Sequence, residues 1–191
     1  MRRRNTRSQP RRPSLIRVIP RPGCKSQGML IIGDRHIPCA LGRSGVTRFK
    51  REGDGATPAG PLRLLALMVR RDRLPGPRAP VRLRPIRPGD GWCDDPSSGV
   101  YNRPVHLPCR ASHELLWRDD RLYDVVGILD WNIRPRTSRR GSAIFLHLAR
   151  AGLAPTEGCI ALRREDLFRL LAALGPRPAF LVAAAPRPRR R

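Results

Sequence analysis

A histidine and a cysteine in the last third of the chain have the residue types and setting of a base and a nucleophile. His147 closes an apolar run, and Cys159 follows Gly158 at the start of another. A free thiol, with a pKa of about 8.5, is mostly protonated at neutral pH, and a neighbouring imidazole can accept its proton. Gly158 lets the backbone approach closely, so the amides around Cys159 can face a developing oxyanion. The pair points to acyl transfer through a thiol; the alternative is two buried side chains that never meet.

Two short strands must bring this pair together. Residues 143–148 predict a compact strand carrying His147, and a second strand is predicted to begin at Cys159. The loop between them can place their ends side by side. Other apolar runs predict a hairpin from residues 29–33 and 36–41, and further strands at residues 62–69, 123–131 and 179–183.

One helix is predicted near the C-terminus. Leucines recur at i, i+3, i+4 and i+7 from Leu167 and form a single apolar face. Glu165 and Asp166 lie in the first turn, where the helix dipole favours anions. Gly175 and Pro176 mark the end. Several short strands with one clear helix indicate a mostly β or α+β domain.

Two stretches rich in glycine, proline or arginine predict loops. Residues 50–60 contain three glycines and a proline, which favour an irregular, close-packed loop that Asp54 and Thr57 organise. Residues 71–91 are expected to form a loop or an insertion, because proline, glycine and arginine dominate them.

The charge of the chain is concentrated at its ends. The net charge is +24, and residues 1–27 predict a basic, disordered arm broken by prolines, with a basic tail at residues 184–191. A basic chain first suggests nucleic acid or another anionic polymer, and a binding module of that kind is one alternative. No aromatic residue lies between Met1 and Arg48 to stack on bases, so nucleic acid is not the expected partner.

Five cysteines leave one thiol over in any pairing scheme. Cys93, His106, Cys109 and His113 offer four possible zinc ligands, but their spacing is irregular for a structural zinc site. We expect no metal and no organic cofactor. No apolar run is long enough to cross a bilayer, so no transmembrane segment is expected.

Residues 144–147 and the segment Thr-Glu-Gly-Cys-Ile-Ala-Leu at residues 156–162 resemble the active-site signature of YkuD-type L,D-transpeptidases. That signature has a His ahead of a Ser/Thr-His-Gly-Cys segment. Residues 52–60, Glu-Gly-Asp-Gly-Ala-Thr-Pro-Ala-Gly, are similar to the family's Gly-Asp-Gly-x-Thr-Pro-x-Gly loop. The resemblance covers residues 28–183, which we take as the catalytic domain. Glu157 departs from the pattern, because most members have His there, and Ala161 stands where many have Asn or Arg.

Short segments outside the two motifs carry the resemblance further. Those containing Trp92, Tyr101, His113 and Tyr123 look like a small, divergent bacterial branch of the family. The resemblance implies a β-sandwich-type catalytic domain. It also predicts a substrate cleft to which Tyr101, Asn102, His113 and Thr156 contribute. The alternatives are a structural or surface role for His113 and an ordinary turn at Tyr101 and Asn102, which precede Arg103 and Pro104.

The activity that the resemblance implies is acyl transfer on peptidoglycan stem peptides. Cys159 would attack the bond between an L-centre and a terminal D-alanine, and His147 would act as general base and then general acid. Gly158 would supply a backbone donor to the oxyanion. The thioester would pass to an acceptor amine, or to water in the alternative reading of an L,D-carboxypeptidase or hydrolase.

The substrate that the resemblance implies would place the reaction in the periplasm or cell envelope. Residues 1–25 lack the apolar core of a signal peptide, which leaves a cytoplasmic location open.

Overall fold

The computed structural model describes residues 13–184, and β-strands dominate them. The elements are β1 Leu15–Arg21, β2 Cys24–Ile32, β3 Arg35–Ala40, β4 Val46–Thr47, β5 Thr57–Pro58, β6 Gly60–Val69, β7 Arg82–Pro85, β8 Asp90–Cys93, β9 Pro104–His106, β10 His113–Leu115, β11 Val125–Leu129, β12 Phe145–Leu148, β13 Ile160–Leu162, α1 Arg164–Ala173 and β14 Ala179–Val182, with a 3-10 helix at Ala151–Leu153. The mostly β architecture with one α-helix near the C-terminus confirms the predicted fold class.

The largest sheet contains nine strands in the order β11-β12-β13-β3-β2-β1-β14-β6-β7. Because β11 also pairs with β6, the sheet closes on itself. A three-stranded sheet of β8, β9 and β10 and a short pair of β4 and β5 complete the fold. The predicted hairpin forms between β2 and β3, which pair antiparallel from Gln27–Ala40 to Ile32–Arg35.

The main core lies on one face of this closed sheet. Alternate residues of the strands point into it, among them Ile16 and Val18 of β1 and Leu146 of β12. Helix α1 adds Leu167, Leu170 and Leu171 to the same cluster, so the predicted apolar face is the face that is buried. Burying each such side chain stabilises the fold by about 1.5–3 kcal/mol.

A second apolar cluster lies on the opposite face of β12. Phe145 is flanked edge-on by Trp92, with ring centroids 5.4 Å apart, and by Tyr123, at 6.1 Å. Residues alternate across a strand, so His147 lies on the Phe145 side of β12, while Leu146 and Leu148 enter the main core. This second cluster separates the three-stranded sheet from the large one.

The prediction of a disordered arm through residue 27 is wrong for the residues that the structure describes. Leu15–Arg21 is β1, which pairs in parallel with β14 and antiparallel with β2 inside the nine-stranded sheet. Arg17 does not break the strand, because it occupies an exposed position between the buried Ile16 and Val18. The parts of the predicted arm and tail at residues 1–12 and 185–191 lie outside the described residues.

The loop predicted at residues 71–91 also contains regular structure. β7 pairs in parallel with the second half of β6, and β8 begins the three-stranded sheet. Within residues 13–184, no helix has both the length and the apolar character needed to cross a membrane.

Candidate active site

The pairing of β12 with β13 places Cys159 and His147 close together. The strands run parallel, with Leu146 opposite Ile160 and His147 opposite Ala161. Cys159 directly precedes Ile160 and therefore lies beside Phe145, whose amide donates a hydrogen bond to the Cys159 sulfur. Residues opposite each other share a face of the sheet, so Cys159 and His147 are diagonal neighbours on one face. Both side chains line the same cavity.

The thiol of Cys159 is held by two backbone groups. Its Sγ accepts a hydrogen bond from the Phe145 amide at 3.3 Å and donates one to the Ala143 carbonyl at 3.2 Å. The residue is buried, and burial raises the pKa of the thiol to about 12. The negative charge of Glu114 raises this pKa further, while the Phe145 amide opposes the shift. The thiol of Cys159 is therefore neutral at physiological pH.

The imidazole of His147 is oriented by a backbone carbonyl. Its Nδ1 lies 2.8 Å from the Leu148 oxygen, which can only accept a hydrogen bond. Nδ1 therefore carries the hydrogen, and Nε2 is left as the basic nitrogen. Burial lowers the pKa of His147 to about 4, so the ring is neutral at physiological pH. Tyr123 packs edge-on against it, with ring centroids 5.3 Å apart.

A tight turn presents the thiol of Cys159. The Thr156 hydroxyl donates to the Cys159 carbonyl at 2.7 Å and accepts from the Gly158 amide at 3.2 Å. Gly158 has φ +134°, a conformation that only glycine adopts readily. A Cβ there would also lie 2.8 Å from the Ala56 oxygen.

The glycine-rich loop at residues 50–60 packs against this turn. The amide of Arg43 donates a hydrogen bond to the Thr156 carbonyl at 2.8 Å, and Gly42 pairs with Thr156 in an isolated parallel β-bridge. The Gly42 amide in turn donates to the Thr57 hydroxyl at 2.8 Å. Residues 42 and 43 thus link two motifs that are about 100 residues apart in the chain.

Asp54 organises the loop from within, as predicted. Its carboxylate accepts hydrogen bonds from the Lys50 ammonium at 2.5 Å and from the amides of Arg51, at 2.7 Å, and Ala56, at 2.9 Å. Lys50 is only 3% exposed, and its ammonium also donates to the Arg51 carbonyl. This ion pair fixes the loop that Gly158 rests against.

The cavity in front of the thiol has a volume of about 310 Å³ and is lined by groups of both charges. Glu114 and Arg118 form an ion pair at 3.0 Å on one side, and Arg118 is also bonded through two nitrogens to Asp120. Burial raises the pKa of Glu114, although Arg118 opposes the shift. Asp94 Oδ1 is buried beside this cavity without a hydrogen-bond partner among the described residues. The cavity therefore suits a ligand with both amine and carboxylate groups.

Of the four residues predicted to bind substrate, only Thr156 lines this cavity. Asn102 is buried, and its side chain makes four hydrogen bonds within the protein. Its oxygen accepts from Trp92 Nε1 at 2.8 Å and the Ala143 amide at 3.1 Å, and its nitrogen donates to the carbonyls of Trp131, at 3.1 Å, and Asn132, at 2.8 Å. The structure gives Asn102 a place in the framework that carries Ala143, the acceptor of the thiol hydrogen.

The side chains of Tyr101 and His113 also form hydrogen bonds with other residues of the protein. The Tyr101 hydroxyl donates to Glu52, whose carboxylate also accepts from Ser142 at 2.7 Å. His113 Nδ1 lies 2.7 Å from the Ala111 carbonyl. Neither side chain lines the cavity that contains Cys159.

Several residues of the cavity were not singled out from the sequence. Tyr123, Glu114 and Arg118 lie within ten residues of one another but far from Cys159 in the chain, and the fold brings them to it. The backbone carbonyl of Leu148 that orients His147 cannot be predicted from residue type, because every residue has a backbone carbonyl. Ala161, noted as a departure from the family, is the direct cross-strand neighbour of His147 and is buried.

Residues 13–184 contain no group of three or more His, Cys, Asp or Glu side chains arranged to hold a metal ion. The four candidate zinc ligands, Cys93, His106, Cys109 and His113, are within this range and form no such group. All five cysteines are free thiols.

Comparison with known proteins identifies the class to which this fold and site belong. The family model of the YkuD L,D-transpeptidase catalytic domain matches residues 27–179. The chain belongs to this family, whose members act on peptidoglycan. No curated protein and no solved structure gives a significant match.

Proposed function

We propose that this protein is a peptidoglycan L,D-transpeptidase with Cys159 as nucleophile and His147 as general base and acid. The observation that carries the proposal is the placement of the two side chains, on one face of the paired β12 and β13 and in one cavity. The family assignment supplies the substrate class. The mixed charges of the cavity support it, because stem peptides carry both amines and carboxylates.

The first half-reaction begins from the neutral pair. His147 Nε2 takes the thiol proton as Sγ attacks the carbonyl that joins the L-centre to the terminal D-alanine. Burial disfavours a separate thiolate and imidazolium, so proton transfer accompanies the attack. The C–N bond then breaks, His147 returns the proton to the leaving nitrogen, and D-alanine departs. The product is a thioester on Cys159.

The second half-reaction resolves the thioester. An acceptor amine attacks the same carbonyl, His147 takes a proton from that amine, and the thiol leaves with a proton from His147. The backbone amides of Gly158 and Cys159 are proposed to bind the oxyanion in both halves. The Gly158 amide would exchange the Thr156 hydroxyl, 3.2 Å away, for the oxyanion. Because the substrate is a wall polymer, we place the reaction in the cell envelope.

The test is product analysis with a disaccharide-tetrapeptide substrate, with and without an acceptor amine. Cys159→Ala is expected to abolish D-alanine release. The matched control is Cys39→Ala, because Cys39 is also a buried thiol with a pKa raised by burial to about 12, but it lies in the main core. A carbapenem is expected to add its mass at Cys159 alone.

Each product pattern has a distinct meaning. Cross-linked dimers support transfer, whereas tripeptide alone, even with an acceptor amine present, indicates the hydrolase alternative. Full activity of Cys159→Ala would refute both.

A further inference from the structure

A second hollow lies away from the candidate active site, beside the turn between β1 and β2. It is a groove of about 900 Å³. Its apolar lining, here called the aliphatic floor, comes from β1, the β1–β2 turn, β4 and the segment after β14 and includes Ile19, Pro20, Pro22, Val46 and Ala183. None of the described residues lining this groove is aromatic.

Three cations also line the groove. Arg17, Arg21 and Lys25 line it, and no carboxylate does among the residues that the structure describes. None of these three cations forms an ion pair within residues 13–184. Cations without acidic partners around an aliphatic floor make a surface complementary to an anion that carries hydrocarbon.

The apolar surface continues beyond the groove. Arg17 lies opposite Leu181 in the register of β1 and β14, and Leu181 is 40% exposed. Both residues line an adjoining hollow together with Arg48. The next residue, Phe49, is 79% exposed, the highest value among the large exposed apolar side chains of the described chain. Alternating cations and exposed apolar groups are typical of surfaces that bind at a lipid interface.

We propose that this groove binds anionic phospholipid and docks the domain on an anionic bilayer. The acyl chain would lie on the aliphatic floor, and the phosphate would contact Arg17, Arg21 and Lys25. A nucleic acid would use the cations but neither the aliphatic floor nor the exposed leucine, and none of the described residues that line the groove has a ring on which a base could stack. Lipid binding at this groove does not depend on the proposed transpeptidase reaction, and the two proposals are tested separately.

The experiment is co-sedimentation of the full chain with vesicles of phosphatidylglycerol or phosphatidylcholine. Binding to phosphatidylglycerol alone is expected. Arg17→Gln, Arg21→Gln and Lys25→Gln in one chain should weaken it about a hundredfold, because each cation near an anionic surface strengthens binding about fivefold. The matched control removes three exposed cations elsewhere, Arg78, Arg103 and Arg110, and should weaken binding far less.

A second variant separates lipid from other polyanions. Ile19→Thr with Leu181→Thr keeps all charges and removes apolar contact, and it should weaken vesicle binding about tenfold. Its control is Val100→Thr with Leu115→Thr, since those side chains are also exposed but lie away from the groove. A DNA duplex serves as the comparison polyanion. Unfolding temperatures equal to wild type show that the variants fold.

Three results would overturn the proposal. Absence of binding to phosphatidylglycerol vesicles is the first. Equal losses in the groove triple variant and its control would show general charge attraction. Unchanged vesicle binding in the Ile19/Leu181 variant, with tight binding of the duplex, would show that the cations serve a polyanion and not a lipid.

Discussion

The hydroxyl of Thr156 donates a hydrogen bond to the carbonyl of Cys159 at 2.7 Å, so the residue that presents the thiol is held by a side chain three positions earlier. The same hydroxyl accepts from the Gly158 amide. Thr156 thereby fixes the turn in which both proposed oxyanion amides lie. Thr156 therefore acts by positioning the turn, and experiments can distinguish this role from direct contact with substrate.

Removing this hydroxyl is expected to damage both stability and catalysis. Thr156→Val keeps the shape but leaves the Cys159 carbonyl and the Gly158 amide without their partner, which should lower the free energy of unfolding by about 1–3 kcal/mol. The rate of D-alanine release should fall with it. Thr156→Ser keeps the hydroxyl and should stay near wild type in urea unfolding and in activity. Wild-type activity in the valine variant would contradict the positioning role.

Gly158 and Gly152 offer a matched pair for testing the close approach to Ala56. Both have positive φ, +134° and +68°, but a Cβ at Gly152 would meet no atom within 4 Å. Gly152→Ala is expected to cost about 1 kcal/mol of unfolding free energy. Gly158→Ala adds a collision with the Ala56 oxygen, so it should cost more than about 2 kcal/mol and abolish activity. Similar effects of the two substitutions would argue against the packed turn.

Burial of His147 predicts that stability falls as the solution becomes acidic. The pKa of His147 is lowered from its ordinary value to about 4, so the unfolded chain binds this proton more readily than the folded chain. The stability that the neutral imidazole contributes is fully present above about pH 6.5 and is lost as pH falls toward 4. Between pH 7.5 and 5.0 the loss should reach about 2 kcal/mol.

The measurement is urea unfolding across this pH range. His147→Gln should lack this part of the pH dependence, because glutamine does not titrate. Parallel pH profiles in the two proteins would show that the imidazole of His147 is not buried in its neutral form.

Glu114 is expected to slow the reaction of Cys159 with alkylating reagents. Burial is the main reason for the raised pKa of the thiol, and the negative charge of Glu114 adds to it. Glu114→Gln should therefore lower that pKa and speed alkylation of Cys159 by iodoacetamide at pH 8.5, read by peptide mass mapping. Glu165→Gln, on the exposed side of α1, is the control and should leave the rate unchanged. A rate unaffected by Glu114→Gln would refute the charge effect.

Asn102 is expected to stabilise the fold. Asn102→Ala removes four hydrogen bonds and leaves the Trp92 indole and the Ala143 amide without acceptors. The free energy of unfolding should fall by about 3 kcal/mol or more, as expected for breaking a buried network. Thermal unfolding measures this directly. A variant of wild-type stability with a raised KM would instead favour the predicted contact with substrate.

The parts of the fold that the sequence predicted well have simple local patterns. The leucine spacing of α1 and the apolar runs of β6, β11 and β12 depend on neighbours along the chain. The prediction failed at β1, because charge and prolines predicted a disordered arm over residues 1–27. In fact, Leu15 and Arg17 are exposed while Ile16 and Val18 are buried, which is the alternation of a strand with one solvated face.

The candidate site shows a similar division. Residue type and motif were enough to single out Cys159 and His147, because thiol and imidazole have distinctive chemistry. The groups that hold them are the carbonyls of Ala143 and Leu148 and the amide of Phe145, and residue type says nothing about such groups. Asn102 was predicted to bind substrate, because the amino-acid sequence does not show that its side-chain oxygen and nitrogen are both hydrogen-bonded to other groups of the protein.

The first and last strands of the domain are neighbours, with Leu15 opposite Ala179 in the register of β1 and β14. During synthesis, β14 is the last strand to leave the ribosome, so the sheet stays open until Val182 has emerged from the exit tunnel. Up to that moment, β1 and the first half of β6 each have an unpaired edge that can capture another chain. These edges can therefore capture another chain until β14 has been synthesised and has paired with both of them.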